Sequence, residues 1–129
     1  MLNSKHRPQI LAREAALKVI FQLKFNETSF DEILNSFVEK REYDEELFKK
    51  LLDSYTHNFN DISKLLKDSN EEIDNIPILD QCIIYLSISE FKYINNTKNI
   101  IINEYINIAK KYSSPKMYSF LNKILDNAL

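Results

Sequence analysis

The sequence predicts an all-α protein of six or seven helices, and three observations lead to that class. Apolar side chains recur three and four residues apart along most of the chain, which is the spacing of one face of an α-helix. No segment alternates apolar and polar residues over a useful length, so strands are not predicted. The 129 residues include no Gly and only three Pro, which excludes Gly-rich phosphate loops and Gly-dependent hairpins. A chain of this length is expected to form a single domain, 1–129, with a substantial core.

The most apolar stretch, residues 77–91, predicts a buried central helix around which the rest of the chain packs. It is apolar on nearly every side, whereas a surface helix carries one apolar stripe. Pro77 suits the first turn of a helix. Residues 83–85 favour a strand, but the apolar positions continue to Ile94, which is too long for a typical strand. Charged residues interrupt the run, so a membrane span is not expected.

Two helices are predicted before residue 42. The first covers residues 8–25, opens at Pro8 and carries small and aliphatic side chains along one face. The second begins at Ser29, because a Ser followed three residues later by Glu32 forms a capping box. Its apolar positions have helical spacing and are Phe30, Ile33, Leu34, Phe37 and Val38.

An acidic first turn at residues 44–46 predicts the next helix, because the helix dipole favours negative charge there. Its apolar pattern begins at Leu47, and the polar residues 58–61 favour a break before the pattern resumes. The polar and acidic residues 68–75 form the predicted linker. They divide the chain into two helical halves, about 1–68 and 77–129.

Two further helices are predicted after the central one. Thr97 is the expected N-cap of the first, which places Tyr105 on its apolar face. Ser114 followed by Pro115 is the clearest local signal in the chain, a cap residue followed by Pro at the first helical position.

The net charge of −2 is unevenly distributed along the sequence. Residues 1–25 carry a net charge of +4, residues 26–80 of −9 and residues 81–129 of +3. Basic ends around an acidic middle indicate a polyanionic partner for the ends. Chance scatter of charges over a helical surface is the alternative explanation.

Cys82 is the single cysteine, and its place in the central apolar run predicts a core residue rather than a disulfide partner. The first residues contain no apolar segment typical of a signal peptide. Both features are typical of a reducing compartment, so we expect a cytoplasmic protein.

The sequence offers little support for catalysis, and we expect a non-enzymatic protein without a cofactor or a metal. His6 and His57 lack metal-ligand partners at the usual spacings. Glu90 lies inside the apolar run, where a hydrogen-bonded structural carboxylate is favoured over a catalytic one.

Binding to a polyanion has more support. Residues 5–9 (Lys-His-Arg-Pro-Gln) and Arg13 place cations at the start of the first helix, where backbone N–H groups also favour anions. Phe21, Tyr118 and Phe120 are candidates for base stacking, although core packing is the competing interpretation. These patterns leave two classes open, a nucleic-acid-binding protein and a helical protein-interaction module.

Four stretches in register carry a family resemblance. They are residues 12–22 (Ala-Arg-Glu-Ala-Ala-Leu-Lys-Val-Ile-Phe-Gln), 83–91 (Ile-Ile-Tyr-Leu-Ser-Ile-Ser-Glu-Phe), 102–112 (Ile-Asn-Glu-Tyr-Ile-Asn-Ile-Ala-Lys-Lys-Tyr) and 120–126 (Phe-Leu-Asn-Lys-Ile-Leu-Asp). In order and spacing they resemble segments of the NusB family of bacterial transcription antitermination factors. The resemblance implies two small helical bundles packed together. It also implies that the chain binds boxA-type single-stranded nascent RNA jointly with the small-subunit ribosomal protein NusE, within the RNA polymerase antitermination complex of ribosomal RNA operons.

The resemblance and the basic segment together assign two sets of residues. The predicted RNA-binding residues are Lys5, His6, Arg7, Gln9, Arg13, Phe21, Lys116, Phe120 and Lys123. The predicted partner-binding residues on the central helix are Asp80, Tyr85 and Glu90.

Several positions depart from the family pattern. The usual arginine cluster is thinned to Lys5, His6 and Arg7, and Lys lacks the planar fork that Arg offers a phosphate. Tyr85 replaces an Arg, and Lys123 replaces a Gly, so that face is either open or less closely packed. Two alternatives therefore remain, an interaction module without useful RNA binding and an RNA-guiding domain like that of ribosomal RNA cytosine methyltransferases. The length of 129 residues disfavours the second, and a homodimer that masks the RNA surface is a further expectation to test.

Overall fold

A computed structural model describes residues 6–25, 32, 42–69 and 71–129. The helices are α1 (Arg7–Phe25), α2 (Glu45–Asp68), α3 (Ile78–Ser89), a π-helical turn (Glu90–Ile94), α4 (Lys98–Tyr112) and α5 (Pro115–Ala128). The described residues contain no strand, so the predicted all-α class is confirmed. The described residues form five α-helices, fewer than the six or seven predicted for the whole sequence. The helix predicted to begin at Ser29 lies outside the described residues except for Glu32, which is helical.

α2 is one continuous helix through residues 58–61, where the sequence favoured a break. The described residues therefore contain one helix in this part of the chain instead of two. Asp44 is its N-cap, and its side chain accepts a hydrogen bond of 3.0 Å from the Leu47 amide. Phe59 packs against the core and Ile62 is fully buried. Tertiary packing of these apolar residues therefore outweighs the weak helix propensity of the polar residues beside them.

α3 is the central helix, as predicted. Every residue from Cys82 to Glu90 is buried, and Cys82 is a free thiol within the core. α1 and α2 contact each other and α3, whereas α4 and α5 contact each other and α3. Each pair of outer helices thus buries its apolar face against the same helix, which explains why α3 itself has no polar face.

The end of α3 has an irregular geometry. The α-helix passes at Glu90 into the π-helical turn, which ends at Asn95 with φ of 76° and ψ of 74°. The backbone N–H of Asn95 donates a hydrogen bond of 3.0 Å to the backbone carbonyl of Glu90. The chain has no Gly for this left-handed cap, and Asn is the residue that tolerates the conformation best after Gly.

Thr97 and Ser114 are the N-cap residues of α4 and α5, as predicted, and Pro115 opens α5. Neither cap side chain forms the expected hydrogen bond to its helix, although both cap residues have the extended backbone that is typical of an N-cap. The Met117 amide instead donates to the Ser114 carbonyl over 2.9 Å. Within the described ranges, no helix combines the length and the apolar content needed to cross a membrane.

Candidate nucleic-acid interface

The start of α1 presents the predicted cations to solvent. His6 and Arg7 are exposed and Gln9 is half-buried, while Lys5 lies outside the described residues. The first turn of α1 contains no acidic side chain. Its backbone N–H groups and the Arg7 guanidinium therefore form a surface that favours a phosphate group.

α5 provides the second group of predicted RNA-binding residues. Lys116 and Lys123 are exposed, so the face on which Lys123 replaces the family's Gly is open rather than closely packed. Phe120 is half-buried and packs against the core. It retains part of its ring at the surface, which fits both base stacking and core packing.

Phe21 and Phe25 form an aromatic pair on the last turns of α1. Phe21 packs partly against the core, and its ring meets Phe25 edge to face with centroids 4.7 Å apart. Phe25 is 59% exposed, which makes it the more accessible ring of the two. Phe25 is not among the predicted RNA-binding residues, although its position at the end of the apolar stripe of α1 is a signal for it.

Arg13 occupies a different environment from the other predicted RNA-binding residues. Its side chain is only 5% exposed, and it forms a bidentate ion pair with Glu90, which is 1% exposed. Nε of Arg13 donates to Oε1 over 2.8 Å, and Nη2 donates to Oε2 over 2.7 Å. Arg13 is a predicted RNA-binding residue and Glu90 a predicted partner-binding residue. In the structure their opposite charges pair with each other in the protein interior.

Three further polar groups complete the cluster around Glu90. The Tyr105 hydroxyl donates to Oε1 over 2.8 Å, and the Asn96 amide donates to Oε2 over 3.1 Å. A carboxylate oxygen of Glu104 lies 3.8 Å from Nη1 of Arg13. The carboxylate of Glu90 is therefore fully used inside the protein, in agreement with the structural role that its place in the apolar run favoured.

The electrostatics of the cluster keep Arg13 and Glu90 charged. Burial on its own raises the pKa of the Glu90 carboxyl, but the hydrogen bonds and charge of Arg13, with the Tyr105 and Asn96 bonds, hold that pKa below its ordinary value of 4.5. Burial lowers the pKa of Arg13, and its bonds to Glu90 more than compensate, so the net shift is upward. Burial and the neighbouring carboxylate raise the pKa of Tyr105 well above 10.0, so the phenol stays protonated and donates.

Glu14, the neighbour of Arg13, connects α1 to the C-terminal end of α4. Lys111 Nζ donates to Oε2 of Glu14 over 2.8 Å, and the Tyr112 hydroxyl donates to Oε1 over 2.6 Å. Glu14 is buried, whereas Lys111 and Tyr112 are exposed. Two adjacent residues of α1 thus contact α4 at different places, Arg13 near its middle at Glu104 and Tyr105 and Glu14 at its C-terminal end. No local sequence pattern identifies such long-range pairs.

The other two predicted partner-binding residues are also buried. Asp80 is 2% exposed and accepts a 2.6 Å hydrogen bond from the Ser113 hydroxyl, while burial raises the pKa of its carboxyl. Tyr85 stacks on Phe59 and shares a 2.7 Å hydrogen bond with Ser63.

Two surface clefts are lined in part by the buried residues Tyr85, Arg13 and Glu90. One, of about 550 Å³, is bordered by Tyr85 and by acidic residues of the segment before α3, namely Glu71, Glu72 and Asp74. The other, of about 290 Å³, brings Gln9, Arg13 and Glu90 to one cavity beside Asn95 and Asn96. Lys116, Phe120 and Lys123 border neither cleft.

The fold and these surfaces define an all-α protein in which a basic helix start and a basic C-terminal helix are held around one buried helix. Residues 11–129 match the sequence profile described as the NusB family. The chain belongs to the NusB family.

Individual relatives support this membership. The transcription antitermination protein NusB of Listeria monocytogenes serotype 4a (strain HCC23) is 34% identical over 119 residues, covering 90% of this chain and 91% of the relative. The transcription antitermination protein NusB of Clostridium botulinum (strain Alaska E43 / Type E3) is 32% identical over 127 residues, covering 92% and 96%. A solved structure of T. maritima NusB superimposes with a TM-score of 0.77 over 94% of this chain and 89% of that chain. At 23% identity this match bears on the fold alone.

Proposed function

We propose that the protein is a non-enzymatic transcription antitermination factor of the cytoplasm. It binds boxA-type RNA together with the ribosomal protein NusE and supports transcription of ribosomal RNA operons within the RNA polymerase antitermination complex. The observation that carries the proposal is the family match over residues 11–129, joined by relatives named as transcription antitermination proteins.

The proposed RNA surface combines the start of α1 with α5. His6 and Arg7 are exposed at a helix N-terminus, and Lys116 and Lys123 are exposed on α5. These groups supply the positive charge that phosphate contacts need. Phe120 and Phe21 keep part of their rings accessible for an unstacked base, and Gln9 is half-buried on the first turn of α1. Lys5, which lies outside the described residues, is included in the proposal from the sequence alone.

The proposed docking site for NusE lies around α3. Tyr85 borders an open cleft whose lining carries three acidic side chains and one lysine, Lys67, and this net negative charge favours a basic partner. Asp80 and Glu90 contribute by holding the shape of α3 and its surroundings, because their carboxylates bind Ser113 and Arg13 inside the protein.

A titration of labelled boxA-like RNA, with and without NusE, tests the proposal. The informative variant is R7Q/K116Q/K123Q, which removes three exposed cations from the proposed surface. The matched control is K49Q/K64Q/K92Q, which removes three exposed cations from α2 and the π-helical turn. We expect the first variant to bind RNA more weakly and to reduce the salt dependence by up to about 0.7 log unit per lost phosphate contact.

Three outcomes discriminate among the candidate functions. RNA binding that strengthens with NusE and is lost selectively in the α1/α5 variant supports the proposal. Equal losses in both triple variants indicate nonspecific attraction and contradict the assigned surface. Binding to NusE without any RNA binding identifies an interaction module and contradicts the RNA-binding role.

A further inference from the structure

We propose that Arg13 is a positioning residue for RNA binding and not a phosphate contact. Its ion pair with Glu90 holds the basic start of α1 against the end of α3 and against α4. The inference deepens the proposed function and rests on it, because it concerns how the α1 part of the RNA surface is held in place.

The charge of Arg13 is already paired inside the protein, where its side chain is only 5% exposed. Nε and Nη2 both bind the Glu90 carboxylate, and Nη1 faces Glu104 at 3.8 Å. The guanidinium carbon also lies 6.0 Å from the centroid of the Tyr105 ring. Binding to a phosphate would withdraw Arg13 from Glu90 and leave a carboxylate buried without its counter-charge, which is strongly unfavourable.

The position of the pair explains what it stabilises. Glu90 is the residue at which α3 passes into the π-helical turn, and Asn96 beyond that turn also donates to it. Gln9 lies one helical turn before Arg13 and borders the same cavity. The pair therefore connects the second turn of α1, directly after the turn that carries Arg7, to the end of α3, to Asn96 and to α4. Glu14 adds a second connection through Lys111.

Replacement of Glu90, the ion-pair partner of Arg13, distinguishes a positioning role of Arg13 from direct contact with a phosphate. E90Q deletes a negative charge beside the proposed RNA surface. If Arg13 contacted phosphate, E90Q would release its guanidinium, strengthen RNA binding and steepen the salt dependence. If Arg13 positions α1, E90Q weakens RNA binding and leaves the salt slope unchanged, because no phosphate contact is gained or lost.

The experiment compares R13Q, E90Q and R13Q/E90Q in the full chain. The readouts are boxA-like RNA affinity with and without NusE, its salt slope, and amide hydrogen exchange of residues 10–13. We expect each single variant to lose about tenfold in affinity at an unchanged salt slope, with faster exchange of these amides. The double variant should recover most of both losses, since two neutral amides can hydrogen-bond to each other without an unpaired buried charge.

E46Q is the matched control. Glu46 borders the same cavity but is 78% exposed and pairs with the exposed Lys50, so its loss removes the same charge without breaking a buried pair. It should leave the exchange of residues 10–13 unchanged.

Two results would overturn the inference. One is an R13Q/E90Q variant that stays as weak as R13Q with a reduced salt slope; the other is an E90Q variant that binds RNA more tightly than the wild type. If the wild-type chain fails to bind boxA-like RNA with NusE, the proposed function fails and Arg13 has no RNA-positioning role. Hydrogen exchange then still decides whether the pair holds α1.

Discussion

Phe59 of α2 and Tyr85 of α3 stack almost parallel, with ring centroids 4.9 Å apart and planes inclined by 17°. Tyr55 meets both rings edge to face, at 5.6 Å from Phe59 and 6.1 Å from Tyr85. Lys24 Nζ, from the last turn of α1, lies 4.8 Å from the Phe59 centroid. One cation thus joins the end of α1 to the aromatic contact between α2 and α3.

Replacement of Lys24 should reveal this cation–π contact. We expect K24M to lower the free energy of unfolding by about 0.5–1 kcal/mol, because the ammonium group lies over the rings at an exposed site. K24R keeps a cation that can stack and should retain most of the stability. Urea denaturation of both variants measures the difference, and equal stability of K24M and wild type would show that the contact contributes nothing.

Truncation of α3 should be far more costly at its buried positions than at its exposed end. Leu86 is fully buried, whereas Ile78 is 36% exposed at the first residue of the same helix. L86A should cost about 2–5 kcal/mol through lost burial and an unfilled cavity, and I78A much less. Similar losses in the two variants, measured by denaturant unfolding, would contradict the central position of α3.

The Arg13–Glu90 pair should make stability depend on pH on the acid side. The pKa of Glu90 is lower in the folded chain than its ordinary value of 4.5. Its contribution is therefore complete above that value and is lost as the pH falls through the folded pKa. E90Q should be less stable than wild type at pH 7 by about 3–5 kcal/mol, the range for breaking a buried pair. Unfolding measured between pH 7 and pH 3 should show the two curves converging, and a constant gap would argue against the shift.

Cys82 should be unreactive in the folded protein. Burial raises the pKa of its thiol to about 11, with a smaller opposing effect from Lys24. At pH 8 only about one thiol in a thousand is then a thiolate, which is the reactive form. Thiol-reactive dyes should label the native chain much more slowly than the chain in urea. Equal rates in the two conditions would place Cys82 at the surface.

Local signals were sufficient to predict most of the helices. Asp44, Ser114 and Pro115 mark helix starts through their own chemistry, so their positions follow from nearest neighbours. The all-round apolar character of residues 77–91 likewise predicted the central helix. The expected break near Phe59 was wrong because stacking against Tyr85 is a tertiary contact that helix propensity does not contain.

The candidate interface was less accessible to sequence reasoning. Arg13 and Glu90 are 77 positions apart, and nothing in the neighbourhood of either residue identifies the other. The local sequence around an Arg near a helix start does not distinguish a side chain that faces solvent from one that pairs with a buried carboxylate. The π-helical turn and the left-handed Asn95 depend on the same cluster, because both bring polar groups to Glu90.

The burial of α3 has a consequence for how the sequence can diversify. A helix enclosed by four others has no face on which substitutions are neutral, so saturation mutagenesis should find few tolerated replacements between residues 82 and 90. The outward faces of α2 and α5 are exposed, so core packing does not restrict substitutions there. We therefore expect related sequences to differ more on the exposed faces of α2 and α5 than in the buried helix α3.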